Sequence, residues 1–192
     1  MGRPKEFDPE AAVDLAMELF WGRGYGATTP QQLAEHLQIG KGSMYAAFGG
    51  KRQLYDLALR RYLDQRVRSV AKILESPGPA KDVLRRALRY MVKTDLEKPD
   101  RRGCFATNSA VEFGRTDSEV ADQVLDMFSR TESAFRALIE RGQRDGDIRS
   151  DVQPANTASM LLSTVTGLHA LARVEPGRAR LARVVDATVD LL

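Results

Sequence analysis

The run from Thr28 to Phe48 constrains this chain more than any other stretch, because it reads as two short helices joined by a tight turn. Thr29 is a good N-cap, Pro30 suits the first helical position, and Gln32 completes a capping box. Leu33 and Leu37 share one face, and Ala34 beside them allows another helix to come close. Gln38-Ile39-Gly40 makes the turn, with Gly40 free to adopt whatever backbone angles it needs. In the second helix, a rotation of about 100° per residue sends Met44 and Phe48 toward Leu33 and Leu37. Gly42, Ser43, Ala46 and Ala47 point the other way, and Lys41 and Tyr45 lie between. A solvated outer face normally carries Glu, Lys and Arg. One stripped of bulk can sink into a DNA major groove, with Lys41 and Tyr45 at phosphates, Ser43 able to bond either base type and alanine methyls against thymine methyls.

These residues carry a family resemblance. Gly26-Ala27-Thr28-Thr29, Leu33-Ala34, the run from Ile39 to Tyr45, Phe48 and Lys51 resemble the N-terminal domain of tetracycline-repressor-like (TetR family) transcription regulators. The opening from Gly2 to Asp8, Leu19-Phe20 and Gly24-Tyr25 are similar too, so the likeness covers about residues 3–66. It implies an all-α fold of nine helices: a three-helix head over residues 1–66, with the helix-turn-helix at about 29–48, and a helical body over 67–192 that binds an effector and dimerises. It also implies that Thr28 or Thr29, Lys41, Tyr45 and Lys51 meet phosphates, and that Gly40, Lys41, Gly42, Ser43 and Ala46 approach the bases. Gly40 stands where many members carry serine or threonine, so this helix lacks a side-chain N-cap. Ala46 and Ala47 replace larger polar or aromatic residues. Sequence preference is therefore expected to rest on Lys41, Ser43, methyl contacts, the Arg3 arm and DNA shape. Arg3 and Lys5, flanking Pro4, form an arm expected to follow the backbone or enter the minor groove.

Net charge adds nothing to this reading. The chain carries +3 overall, and residues 1–60 are balanced, so the argument rests on where the positive residues sit. No glycine-rich phosphate loop or serine-nucleophile elbow is present, and His36 and His169 have no second His or Cys at ligand spacing. Neither catalysis, a metal nor a cofactor is expected. No apolar run is long enough to span a bilayer, no secretory pattern precedes Asp8, and one cysteine, Cys104, fits a reducing compartment; a cytoplasmic protein is expected.

The rest of the chain reads as helix. Asp8-Pro9 opens a helix that stops at Gly22-Arg23-Gly24, and Gly49-Gly50 precedes a longer helix from Lys51 that joins head to body. Ser76-Pro77-Gly78-Pro79 is a linker, and Thr116-Asp117-Ser118-Glu119 is a capping box opening a helix to about Arg144. Apolar stripes near the end, Leu161, Val165 and Leu168 on one helix and Leu181, Val184, Val185 and Thr188 on the next, are expected to build a four-helix dimer interface. Cys104, Asn108 and Glu112 recur every four residues; with Tyr90, Met91, Phe105, Phe128, Ser163 and Thr166 they are the expected lining of a small-molecule effector site. The reading that follows is a homodimeric repressor, released from a palindromic operator in double-stranded DNA by a small-molecule effector. A helical protein-interaction module that does not bind DNA is the alternative, separable by the salt dependence of binding.

Overall fold

Asp8 caps the first helix as its position predicts, its carboxylate accepting from the Glu10 N–H at 2.9 Å. In this computed structural model, which describes residues 7–97, 101–175 and 177–192, every regular element is helical. The elements are α1 (Pro9–Arg23), α2 (Pro30–His36), α3 (Lys41–Phe48), α4 (Lys51–Leu74), α5 (Ala80–Glu97), α6 (Phe105–Phe113), α7 (Ser118–Asp145), α8 (Pro154–Val174) and α9 (Ala179–Asp190). The expected nine-helix, all-α architecture is what the described residues form. Arg3 and Lys5 lie outside them.

Two apolar clusters organise the chain, and they do not divide at residue 66. The first gathers Phe20, Leu33, Met44, Phe48, Leu54, Tyr55 and Leu59 of the head, and extends to Phe105 of α6 and Val120, Val124 and Met127 of α7. The second gathers Val70 and Leu74 of α4 with α5, the later half of α7, α8 and α9. Helices α4 and α7, 24 and 28 residues long, therefore belong to both cores. At about 1.5 Å per residue, α7 runs roughly 42 Å and ties head to body along its length.

Close packing explains two local features. Gly142 of α7 sits where an added Cβ would come within 2.6 Å of the Ala80 Cβ and 2.7 Å of the Ile148 side chain, so the start of α5 and the loop after α7 can close over it. The helix caps itself at Asp117, which accepts from the Val120 N–H at 3.2 Å, one residue later than the Thr116 box predicts.

Chain closure overturns one expectation. Leu161, Val165, Leu168, Leu181, Val185 and Thr188 are all buried within a single subunit, and the five apolar ones belong to the body core. They cannot also be the exposed dimer face. The stripes are real, but they serve the chain's own interior, and Val184 is only partly buried against it. The uncovered face of α8 is instead Ser163, Gly167, Ala170 and Val174, and α9 exposes Arg183, Ala187 and Leu191.

Candidate nucleic-acid interface and the core behind it

The helix-turn-helix is set by local hydrogen bonds. Thr29 Oγ1 accepts from the Gln32 N–H at 3.2 Å while Gln32 Oε1 accepts from the Thr29 N–H at 2.9 Å, which completes the capping box of α2. That helix ends in a Schellman motif: the Gln38 N–H reaches Glu35 O and the Ile39 N–H reaches Ala34 O, both at 3.1 Å. The left-handed residue of the motif is Gln38, at φ 55°, whereas Gly40 takes an ordinary extended conformation at φ −67°. The glycine of the turn is therefore not the residue that needs freedom; a glutamine bears the unfavourable angle.

Helix α3 presents the face its sequence predicts. Met44 and Phe48 are buried against the head core, while Lys41, Gly42, Ser43, Tyr45, Ala46 and Ala47 are exposed, Tyr45 by 48%. Gly40 has no side-chain cap to offer, and a Cβ at Gly42 would meet nothing within 4 Å. The exposed backbone N–H groups at the start of α3 and the adjoining Lys41 are the natural partners of a phosphate. Gly49 (φ 81°) and Gly50 (φ 152°) then let the chain leave α3 and enter α4, with Gly50 lying beneath the Tyr45 ring.

Two expected phosphate contacts change. Thr28 is fully buried and its hydroxyl donates to Gly24 O at 2.7 Å, so it holds the α1–α2 turn and has nothing left for DNA. Thr29 remains exposed, with its hydroxyl serving the α2 cap. Lys51 is half-buried with its Nζ 3.9 Å above the Tyr25 ring; that burial lowers its pKa, opposed by the nearby Glu112 carboxylate.

Behind the interface, Tyr55 anchors an aromatic cluster. Phe20, Tyr25, Phe105 and Phe113 stand 5.0–5.6 Å from its ring. Its hydroxyl lies 2.7 Å from Ser109 Oγ, which itself donates to Phe105 O, so the tyrosine is the donor. Burial pushes the Tyr55 phenol well above its ordinary range. At the other end, Arg52 of α4 pairs with Asp56 (2.9 Å), with Asp117 at the α7 cap and with Glu119 (3.4 Å). The Arg52 hydrogen bond is the main reason that the Asp117 carboxyl is held below its usual pKa.

Glu112 joins body to head. Its two carboxylate oxygens accept from the backbone N–H groups of Tyr25 (2.9 Å) and Gly26 (2.6 Å), in the turn between α1 and α2. A Cβ at Gly24 or Gly26 would stand 3.1 or 3.2 Å from that carboxylate, so the glycines admit it. The stripe Cys104, Asn108 and Glu112 does line one pocket, of about 440 Å³, together with Phe105. Its polar members are nonetheless engaged by protein: Asn108 donates to Arg102 O and accepts from Arg173, both at 2.8 Å. Glu112 is thus a fastener of the head rather than an effector contact.

The other expected effector residues separate. Met91, Cys104, Phe128 and Thr166 line a small chamber of about 20 Å³ bounded by α4, α5, α6, α7 and α8. Tyr90 lines an open groove of about 430 Å³ between α1, α4 and α5. Ser163 faces outward, its hydroxyl donating to Ser159 O, and leaves the set. The chamber also holds residues that the sequence reading missed, above all Arg66. A signal was present: Leu59, Leu63, Arg66 and Val70 share one face of α4, and an arginine interrupts an otherwise apolar stripe.

Comparison with known proteins agrees with this geometry. Residues 80–188 match the model of the tetracyclin repressor-like C-terminal domain, and residues 12–58 match that of bacterial regulatory proteins of the tetR family. The chain is 32% identical over 194 residues to the helix-turn-helix-type transcriptional regulator YezE of Bacillus subtilis strain 168, covering all of both chains. It is 26% identical over 191 residues to the transcriptional repressor ComR of Escherichia coli K12, covering 99% of this chain and 91% of that one. A solved structure of the TetR family regulator CifR, a cysteine mutant in complex with 26-bp double-strand operator DNA, superposes with a TM-score of 0.86 at 30% identity, covering 98% of each chain.

Proposed function

The chain belongs to the TetR family of bacterial regulatory proteins and is a DNA-binding transcription regulator, not an enzyme; on that premise we propose that it is a cytoplasmic homodimeric repressor, released from a palindromic operator by a small-molecule effector. The observation that carries the DNA reading is the outer face of α3, exposed and bare of bulk while Met44 and Phe48 hold its inner face in the core. A helix so placed can enter the major groove with Lys41 and Tyr45 on phosphates.

A dimer has a geometric reason. Two recognition helices must reach successive major grooves about 34–36 Å apart. The uncovered face of α8 carries the small residues Gly167 and Ala170 at its middle, and that of α9 carries Ala187, where another helix can come close, with the exposed apolar Met160, Val174 and Leu191 farther along. Because Leu181, Val185 and Val189 of α9 are core residues, deleting α9 would destroy the body, and surface charges are the cleaner perturbation. Ala170→Glu combined with Ala187→Glu is expected to give a folded monomer that no longer binds DNA selected from a random pool by the wild type. A monomeric double variant that retained full affinity would overturn the dimeric reading.

Release follows from population shift: an effector that favours wrongly spaced heads lowers operator affinity by its differential affinity for that state. Helices α4 and α7, rooted in both cores, are the elements able to carry the motion. DNA binding itself is tested by salt. Lys41→Ala is expected to weaken binding to every sequence and to flatten log K against log salt by about one unit for each phosphate no longer neutralised.

A further inference from the structure

Among the described residues, Arg66 of α4 is a largely buried positive charge that forms no ion pair, although Asp95 lies near enough to act on it. Arg66 turns its guanidinium inward from α4, where Nη1 donates to Thr94 Oγ1 of α5 at 3.1 Å and Cζ stands 5.8 Å from the Tyr90 ring. Its Nη2 is shut off from solvent and has no hydrogen-bond partner among those residues. No carboxylate of theirs forms an ion pair with it, and Asp95, the buried acid of the same region, is taken by His169. Thr107 Oγ1 is likewise enclosed and unpartnered.

Both groups line the small central chamber. That chamber holds about 20 Å³; Met91, Met127 and Phe128 are among its apolar walls, and its other polar lining groups, Thr131, Thr166 and His169, are already bonded within the protein. Arg66 also lines the α1–α4–α5 groove, and Thr107 also lines the α1–α6–α8 pocket. The chamber therefore adjoins both larger openings, sharing Arg66 with one and Thr107 with the other. An enclosed guanidinium N–H and an enclosed hydroxyl without partners are costly, and such pairs persist where something binds to complete them. Methionine walls can give way to a ligand larger than the resting space.

We propose that Arg66 anchors the effector and that the effector is a small monocarboxylate with an apolar body. Its carboxylate accepts from Arg66 Nη2 and Thr107 Oγ1, and its hydrocarbon part parts Met91, Met127 and Phe128. A dianion such as a phosphate monoester fits less well, since a single guanidinium is offered. Forcing the chamber open separates α4 from α7, the two helices rooted in both cores. The assignment rests on the effector-release reading above and specifies its chemistry.

The test titrates the full-length protein with octanoate and 4-phenylbutanoate and with their amides. Trp21, the chain's single tryptophan, lines both outer openings, so its emission reports entry, and operator binding is followed in parallel. The acids are expected to bind saturably and release the operator, with the amides weaker by about tenfold or more. Arg66→Gln is expected to lose the acid response by a similar factor while keeping or raising its melting temperature, and Arg66→Lys to retain part of the response. Equal action of acids and amides, or an undiminished response in Arg66→Gln, overturns the assignment and leaves effector release standing. So does release by a cell extract when neither acid acts. If no probe and no extract changes operator affinity, effector release falls, and this assignment falls with it.

Discussion

Replacing Glu112 tests whether one side chain fastens the DNA-binding head to the body. Its carboxylate receives two backbone N–H groups, from Tyr25 at 2.9 Å and Gly26 at 2.6 Å, across 86–87 residues of sequence. Hydrogen bonds to a charged acceptor contribute about 1.5–3 kcal/mol when shielded. Glu112 is exposed, so water replaces part of each bond once the carboxylate is gone. Loss of both is therefore expected to cost about 2 kcal/mol in Glu112→Ala. For a domain of this size that lowers the melting temperature by roughly 4–8 °C. Glu112→Gln is the sharper variant. Its amide oxygen can accept from one N–H, but its NH2 group then faces the other donor, and at least half of the loss should remain. The adjoining glycine supplies an internal check. A Cβ at Gly26 would stand 3.2 Å from Glu112 Oε1, so Gly26→Ala should destabilise the wild type and lose most of that penalty in the Glu112→Ala background. Thermal unfolding of the four proteins completes the cycle. A Glu112→Gln melting temperature within about 1 °C of the wild type would refute the reasoning, because the second N–H would then have had no need of the carboxylate.

Other outcomes follow from the same geometry. Gly142→Ala, whose Cβ would lie 2.6 Å from the Ala80 Cβ, is expected to cost about 1–3 kcal/mol of overpacking, measurable by urea unfolding. Gln38→Gly relieves a left-handed glutamine at φ 55° and is expected to stabilise the head by about 1 kcal/mol; a lower melting temperature would contradict the strain argument. Asp117 binds its proton less tightly folded than unfolded, held by Arg52, so its contribution is complete near neutral pH and is lost as pH falls below the ordinary carboxylate range. Asp117→Asn should lose stability at pH 7 and show a flatter melting profile below about pH 4, read by calorimetry across pH. Ser43→Ala is expected to change which DNA sequence a random pool yields, whereas an unchanged consensus would remove Ser43 from base readout.

What the sequence by itself determined was local. The Thr29 and Asp8 caps, the Gly49-Gly50 break, and the inward Met44 and Phe48 depend on residues within a few positions of one another, where hydrogen-bond geometry and helical periodicity leave little choice. The family likeness and the bare outer face of α3 were legible for that reason. Tertiary structure decided the meaning of every apolar stripe with two possible destinations. Periodicity marks Leu161, Val165 and Leu168 as facing something apolar, and only closure of the chain shows that the something is the subunit's own core. The polar groups were decided in the same way. Thr28 had a hydroxyl for a phosphate until it bonded Gly24 O, Glu112 had a carboxylate for a ligand until it met the amides of Tyr25 and Gly26, and Arg66 gained a meaning only once folding shut its Nη2 off from solvent. A side chain's chemistry is written in its identity, but what remains of it for binding depends on which distant partner folding brings within hydrogen-bond reach.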